Sequence, residues 1–329
     1  MGDILALHVH GYRVGLDTKD PDANINFVSH AHTDHMSGIR KNADIICSQI
    51  TKELAEVRSK RKINAVGMPE CMSMLNAGHM LGARQLYIES EGLGCSIVYT
   101  GDYLIQRSST SEPIEIRNVD VLLMDSTYPF ANIVFDDREE TITSIERYIQ
   151  YKSKIGCVVF GAYSAGKAQE LISICNGIGI DPVVDGKIAR VTEIYNAHGY
   201  RLSFQESDAN SSDFGSSAMI VSLSSLDYMK AQASNRGKQV FTAVATGFAK
   251  TMRFNTDIQF ALSDHADLEQ ALDYISQAAP KFIYTYGQNA ATMAKNLKAH
   301  GHRAQEFDVR SSAVGTHLML ANNAGPLLE

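Results

Sequence analysis

The sequence predicts an α/β protein, and three observations carry that expectation. From residue 156 onward, short apolar runs alternate with helix-length segments, the pattern of parallel strands joined by helices. The first third holds several short strand-like runs joined by loops. VLLMD at 121–125 is a continuous apolar run, which fits a strand covered on both faces. At roughly 150 residues per domain, 329 residues suffice for two domains, or for one large domain with an insertion.

Taken in order, residues 4–9 and 12–16 are apolar or alternating and close enough to form a hairpin. Residues 25–29 and 44–48 read as further strands, and 51–60 as a helix. EGLG separates 85–89 from 95–100 and predicts a second hairpin. Ile142, Ile145 and Ile149 fall near helical spacing within a helix expected at 139–151. Strands are then expected at 156–161, 181–185 and 218–223, with helices at 165–174, 187–198 and 226–233. The polar, Gly/Ser/Asp-rich stretch 206–217 reads as a loop. The remainder reads as strand 258–263, helix 268–278, strand 281–286, helix 290–299 and strand 303–309.

Composition excludes several classes. With 44% hydrophobic and 20% charged residues, the chain is ordinary for a globular protein, and long disorder is not expected. No apolar run approaches the roughly 20 residues of a membrane-spanning helix, and the first residues lack the features of a signal peptide. A cytoplasmic protein without membrane partners is expected. A net charge of -7 argues against coating nucleic acid by bulk charge, although a local basic groove and bound cations can supply the field. Five cysteines without a CxxC pair suggest free thiols in a reducing compartment.

The chemistry concentrates in SHAHTDHMSG, residues 29–38. His30, His32, Asp34 and His35 follow a predicted strand directly. Three imidazoles and a carboxylate this close together are costly to desolvate without a purpose. Such ligands suit Zn²⁺, or Mn²⁺ and Fe in related sites. In extended chain, His30, His32 and Asp34 share one side by the two-residue period, and the turn that follows brings His35 from the other.

This HxHxDH pattern resembles the metal motif of the metallo-β-lactamase superfamily. His79 in NAGHMLG and Asp102 in YTGDY stand, in order, where that superfamily places a further His and Asp. The resemblance implies one metal on His30, His32 and His79, a second on Asp34 and His35, and Asp102 bridging them. Two such cations lower the pKa of bound water towards about 7 and stabilise both oxygens of an in-line displacement.

Four later elements resemble the β-CASP nucleases: MDSTYPF (124–130), FGAYSAGKAQEL (160–171), AVATGFA (243–249) and ALSDHAD (261–267). The closest flavour is that of the ligase-associated DNA exonucleases, with Artemis-type, ribonuclease J and messenger-RNA 3′-end nucleases in the same branch. The resemblance implies an αβ/βα sandwich at 1–140 and 246–329 with an α/β β-CASP domain inserted at 141–245. It implies a nuclease leaving 5′-phosphates, with zinc as cofactor and manganese as an alternative, and a homodimer as in related nucleases. Asp34 or Asp102 would orient the nucleophile, and Asp125 would orient a ligand histidine. His265 would stabilise the phosphorane or protonate the leaving oxygen, a task its pKa suits. Ser164, Gly166 and Lys167 open a helix where free N–H groups and an ammonium can meet a phosphate.

One departure stands out. Tyr286 in IYTYGQN occupies the position of a second-metal histidine in the RNA-cutting and ligase-associated members. A phenol with pKa near 10 is a poor Zn²⁺ ligand, so one tight and one weaker metal are expected. This feature leans the substrate towards DNA, and a cleft between two domains favours a single-stranded end. Two other readings are an RNA-processing nuclease and a catalytically silent nucleic-acid-binding subunit. His8, His10, His198, His300, His302 and His317 follow no ligand spacing. The basic run Arg58, Lys60, Arg61 and Lys62 reads as a solvated helix end, with phosphate tracking as its functional alternative. Asp264 reads as the N-cap of the helix after SDHAD and Asp267 as its first-turn acid.

Overall fold

The computed structural model describes residues 5–307, apart from 10, 41–42, 91–93, 208–215, 236 and 238. His10, Lys41, His317 and most of the expected 206–217 loop therefore lie outside the described residues. A first sheet is built from β1 (Ala6–Val9), β2 (Tyr12–Leu16), β3 (Ile25–Phe27) and β4 (Ile45–Ile46), in that order. β1 and β2 are antiparallel, and β3 and β4 add in parallel. Helix α1 (Gln49–Ser59) follows, capped by Ser48, whose side chain accepts from the Thr51 amide.

The second sheet comprises β5 (Met72–Asn76), β6 (Arg84–Ser90), β7 (Cys95–Tyr99) and β8 (Val121–Asp125). It is completed only at the far end of the chain. Between its two parts run α2 (Arg138–Lys152), β9 (Cys157–Ala162), α3 (Lys167–Gly177), β10 (Val183–Val184), α4 (Gly186–Ala197) and β11 (Gln205–Glu206). Next come β12 (Ala218–Ser222), α5 (Leu226–Asn235), β13 (Val240–Ala245) and β14 (Ile258–Phe260). The six strands β9 to β14 form a middle sheet in the order β11-β10-β12-β9-β13-β14, paired in parallel throughout. Then α6 (Leu268–Ala278), β15 (Phe282–Tyr286), α7 (Ala290–Ala299) and β16 (Ala304–Glu306) return to the second sheet, whose order is β16-β15-β8-β7-β6-β5. β15 pairs with β8 in parallel, which places Tyr286 opposite Asp125.

The first two sheets face each other across one core that includes Leu7, Val14, Phe27, Leu86, Ile97, Tyr99 and Leu123. α6 and α7 cover the other face of the second sheet through Leu268, Tyr274, Ile275, Met293 and Leu297. Fully burying such side chains contributes roughly 1.5–3 kcal/mol each. This is an αβ/βα sandwich carrying an inserted α/β unit. A continuous apolar cluster joins the two, running from Val28 and Leu54 through Met80 and Leu81 to Phe160, Ile172 and Ile188. Among the described residues, no helix is long and apolar enough to cross a membrane.

The predicted elements and the structure differ in several places, among them β11 (Gln205–Glu206), which was not expected. β5 (MSMLN) was not expected, because its Met, Ser and Leu carry neither β-branching nor clean alternation; its partner β6 makes it a strand. The AVATGFA element, 243–249, is the end of β13 running into a short turn of helix, Gly247–Lys250. β14 was expected with the final part of the chain, yet it extends the middle sheet beside β13.

Candidate metal centre and active site

Every expected metal ligand leaves a strand end or the loop after one. β3 ends at Phe27, and the chain passes His30 and His32 before a tight helical turn, His35–Gly38. His79 follows β5 and Asp102 follows β7. These edges meet, and Asp102 lies at the centre. Its Oδ2 is 3.5 Å from His30 Nε2, 3.3 Å from His35 Nε2, 3.7 Å from His79 Nε2 and 3.7 Å from His265 Nε2.

Hydrogen bonds around the rim fix each ring's tautomer. Ser29 Oγ donates to Asp17, so it accepts from His30 Nδ1 at 2.9 Å and leaves a lone pair on Nε2. The carbonyl of Asp264 accepts from His79 Nδ1 at 2.8 Å, again leaving Nε2. The carbonyl of Ala165, in the inserted unit, accepts from His32 Nε2 at 3.1 Å and leaves Nδ1. Such outer hydrogen bonds are the usual means of orienting metal-ligating imidazoles. Two consequences show that the residues fit a cation. His30 Nε2 is buried with no hydrogen-bond partner among the described residues. His79 Nε2 and His32 Nδ1, both carrying lone pairs, stand 3.1 Å apart. Two lone pairs that close repel unless a positive charge lies between them. One donor atom from each of His30, His32, His79 and Asp102 falls within 4.8 Å of the others.

The electrostatics agree. Burial drives His30 well below its ordinary pKa, and His35 and His79 push it further. Burial and the His265 charge lower His79 to about 3. Both rings are therefore neutral at pH 7, as ligands must be. His35 goes the opposite way: burial opposes its charge, but Asp102 and Asp17 outweigh it and hold the pKa well above normal. Burial opposes ionisation of Asp102 too, yet His35 and His265 keep it ionised.

The second set of ligands is looser. His35 Nδ1 is 2.8 Å from Asp17, and its Nε2 is 3.6 Å from Asp34, whose side chain is 81% exposed. Tyr286 lies beside this side of the site, with its ring 5.0 Å from that of Tyr99 and its hydroxyl 3.4 Å from Thr100 Oγ1. Burial and the carboxylates of Asp125 and Asp102 raise the phenol well above 10, so it stays protonated.

His265 Nδ1 is 3.0 Å from Asp125, which also accepts from Thr127 Oγ1 at 2.8 Å. Burial lowers its affinity for a proton, but Asp102 and Asp125 raise its pKa to about 9. His265 thus carries a proton at neutral pH. Asp125 holds His265, rather than a metal-ligand histidine as expected.

The helix-opening residues need the clearest correction. Lys167 is 3% exposed, and its Nζ lies 2.6 Å from both Glu170 and Asp264. Its ammonium is held by two carboxylates and does not stand free for a phosphate. The Gly166 amide donates to Gln169 Oε1 at 2.9 Å and is likewise occupied. Ser164 does line the cleft, where its hydroxyl accepts from Arg58 at 3.0 Å. Arg58 reaches Thr33 as well, so this end of the basic run turns into the site, whereas Lys62 is 94% exposed. The N-cap of α6 is Asp267, which accepts from the Gln270 amide, and Asp264 belongs to the ion cluster. His8 meets Arg13 and His198 meets Glu53, both away from the centre.

Asp17 was not anticipated. Its carboxylate accepts from the Ser29 amide, Ser29 Oγ, Tyr99 Oη and His35 Nδ1. Its backbone is left-handed, with φ 50°, a conformation Asp adopts more readily than most residues. LDTKD carries no signal for this role, because every partner is at least a dozen residues away in sequence.

The site floors a cleft of about 1350 Å³, lined also by Tyr128, Tyr163 and Phe248. That exceeds the roughly 300–1,000 Å³ of a typical small-molecule pocket and suits a polymer segment.

No protein-family model matches the chain. It is 26% identical over 307 residues to a probable DNA ligase of Opitutus terrae, covering 88% of this chain and 29% of that protein. It is 27% identical over 224 residues to an RNase J-like protein of Methanocaldococcus jannaschii, covering 56% of this chain and 52% of the relative. A DNA cross-link repair 1A protein of Gallus gallus is 30% identical over 173 residues, 46% of this chain and 17% of that protein. The chain belongs to the β-CASP branch of the metallo-β-lactamase superfamily. It spans about half or less of the length of these three curated relatives. The inserted unit contributes Tyr163 and Ser164 to the lining of the cleft.

Proposed function

We propose that the chain is a metal-dependent nuclease that removes nucleotides from single-stranded DNA ends and leaves 5′-phosphates. The observation that carries the metal reading is the pair of lone-pair nitrogens on His32 and His79, 3.1 Å apart, beside the unpartnered Nε2 of His30. His30, His32, His79 and Asp102 would hold a tight divalent ion, zinc or manganese, and His35, Asp34 and Asp102 a weaker one. When bound, these ions supply Lewis acidity and a lowered water pKa.

The chain's own groups do the rest. Protonated His265, kept upright by Asp125, donates to a phosphoryl or leaving oxygen at the cleft floor. Arg58, bridging Thr33 and Ser164, offers its charge to a backbone phosphate. Asp34, exposed at the entrance, is placed to orient a nucleophile. The sandwich is taken as 1–140 and 246–329 and the insert as 141–245, with β14 (Ile258–Phe260) joining the insert's sheet beside β13. A homodimer completes the proposal.

The resemblance to an RNase J-like protein favours a second reading, an RNA nuclease. Metal-reconstituted protein incubated with 5′- and 3′-labelled single-stranded DNA and RNA of one sequence separates the two. DNA cleavage reduced about 10²–10⁴-fold by His265→Ala is expected. RNA cleavage alone would replace the DNA reading, and no cleavage of either would favour a silent binding subunit.

A further inference from the structure

The inserted unit meets the metal centre through residues 165–170, and that contact is charged and buried. Lys167 and Glu170 lie on the first turn of α3, Arg138 on the first turn of α2, and Asp264 on the loop before α6. Lys167 Nζ joins Glu170 to Asp264, and Arg138 donates to Glu170, to the Ser263 carbonyl and more distantly to Asp264. Arg138, Lys167 and Glu170 are each at most 4% exposed. Two positive and two negative charges in one buried cluster rarely repay their desolvation as stability, so their retention invites another explanation. The cluster grips the one residue whose backbone carbonyl fixes His79, the Asp264 carbonyl at 2.8 Å from Nδ1. Two residues before Lys167, the Ala165 carbonyl fixes His32. One nitrogen of the 3.1 Å pair is thus aimed by this segment directly, and the other by a residue whose side chain this segment holds.

We propose that Lys167, with Arg138, is a positioning residue for the metal centre, clamping Asp264 so that its carbonyl presents His79 Nε2 to the ion. The clamp makes docking of the inserted unit a condition of tight metal binding, and by reciprocity the metal strengthens that docking. Lys167 then acts on the metal, not on the substrate phosphate. The inference rests on the metal reading of the site and is independent of which nucleic acid is cut.

The test measures zinc affinity by competition with a chromophoric chelator, and the visible absorption spectrum of the cobalt-substituted protein, whose bands report ligand geometry. Lys167→Met is expected to raise the zinc dissociation constant about 10–100-fold and to shift the cobalt bands. Asp264→Asn keeps the carbonyl but removes the clamped charge, and is expected to weaken zinc similarly. The double variant should be no worse than the more severe single, as for residues acting through one contact. Wild-type zinc affinity and an unchanged cobalt spectrum in Lys167→Met overturn the proposal, as does a variant that only raises KM for DNA. If Lys167→Met does not fold, Asp264→Asn decides, and wild-type affinity there overturns it. A native chain that binds no zinc removes the metal reading itself, a result distinct from failure of the clamp.

Discussion

The two sides of the metal centre are built to different standards. On one side, His30 and His79 are buried and His32 is partly exposed, and each non-ligating nitrogen is held by a hydroxyl or carbonyl. On the other, His35 is anchored by Asp17, but Asp34 points to solvent and Tyr286 presents a protonated phenol. An ion on the first side meets rings whose orientation is already fixed, whereas one on the second must itself order an exposed carboxylate. The lesson is that ligand identity alone does not set affinity; the groups behind the ligands decide how much ordering remains for the metal.

The largest expected effect separates the sides directly. His79→Ala should abolish tight zinc binding and lower the proposed nuclease activity by about a thousandfold or more, as loss of several kcal/mol of Lewis-acid stabilisation requires. Asp34→Ala should keep one zinc per chain by elemental analysis; loss of that zinc would break the comparison. Asp17→Asn exchanges a carboxylate partner of His35 for an amide. It should weaken the second ion about 10–100-fold and the first by less, through the Ser29 hydroxyl that orients His30, as read by isothermal titration. Tyr286→His offers the missing imidazole and should move stoichiometry from about one towards two zinc ions, if its neighbours Tyr99 and Thr100 admit the ring; unchanged stoichiometry would show that Asp34 limits the second site.

The smallest effect concerns pH and metal-free protein. His79 has a folded pKa of about 3 against an ordinary 6.5, so the folded state binds fewer protons. Its contribution is present above about 6.5 and is lost as pH falls towards 3. His265, raised to about 9, contributes fully below 6.5 and loses that contribution as pH rises through 9. Chelator-treated protein should therefore show a lower urea midpoint at pH 5 than at pH 6.5. Equal midpoints would mean that His79 is not held neutral.

The sequence made one class of feature legible and hid another. His30, His32 and His35 are near one another in sequence, and a strand followed by a turn suffices to bring their rings together, whereas Asp34 between them points to solvent. His79, Asp102, Asp125 and His265 were found through a resemblance spanning the chain. Their relations were not: that Asp125, at the end of β8, holds His265, 140 residues away on the loop before α6, is set by the tertiary fold alone. Lys167 was misread for the same reason. An ammonium at a glycine-rich helix start looks available to phosphate until Asp264 arrives, 97 residues later, to occupy it. β5 was invisible because its strand character comes from β6, not from its own Met and Ser.

The split second sheet has a consequence for synthesis. β8 is made early, but its neighbour β15 emerges only after the whole inserted unit, about 160 residues later. Until then β8 is an apolar edge with no partner on that side, and the His79 ring lacks its carbonyl at Asp264. Long-range pairings of this kind form slowly, and an open apolar edge invites contact with other chains. A ribosome-bound chain stalled before Asp264 should therefore need chaperone protection and bind zinc poorly. The centre is completed only once Asp264 and β15 have been made, so a shorter nascent fragment carries its first ligands without a finished site.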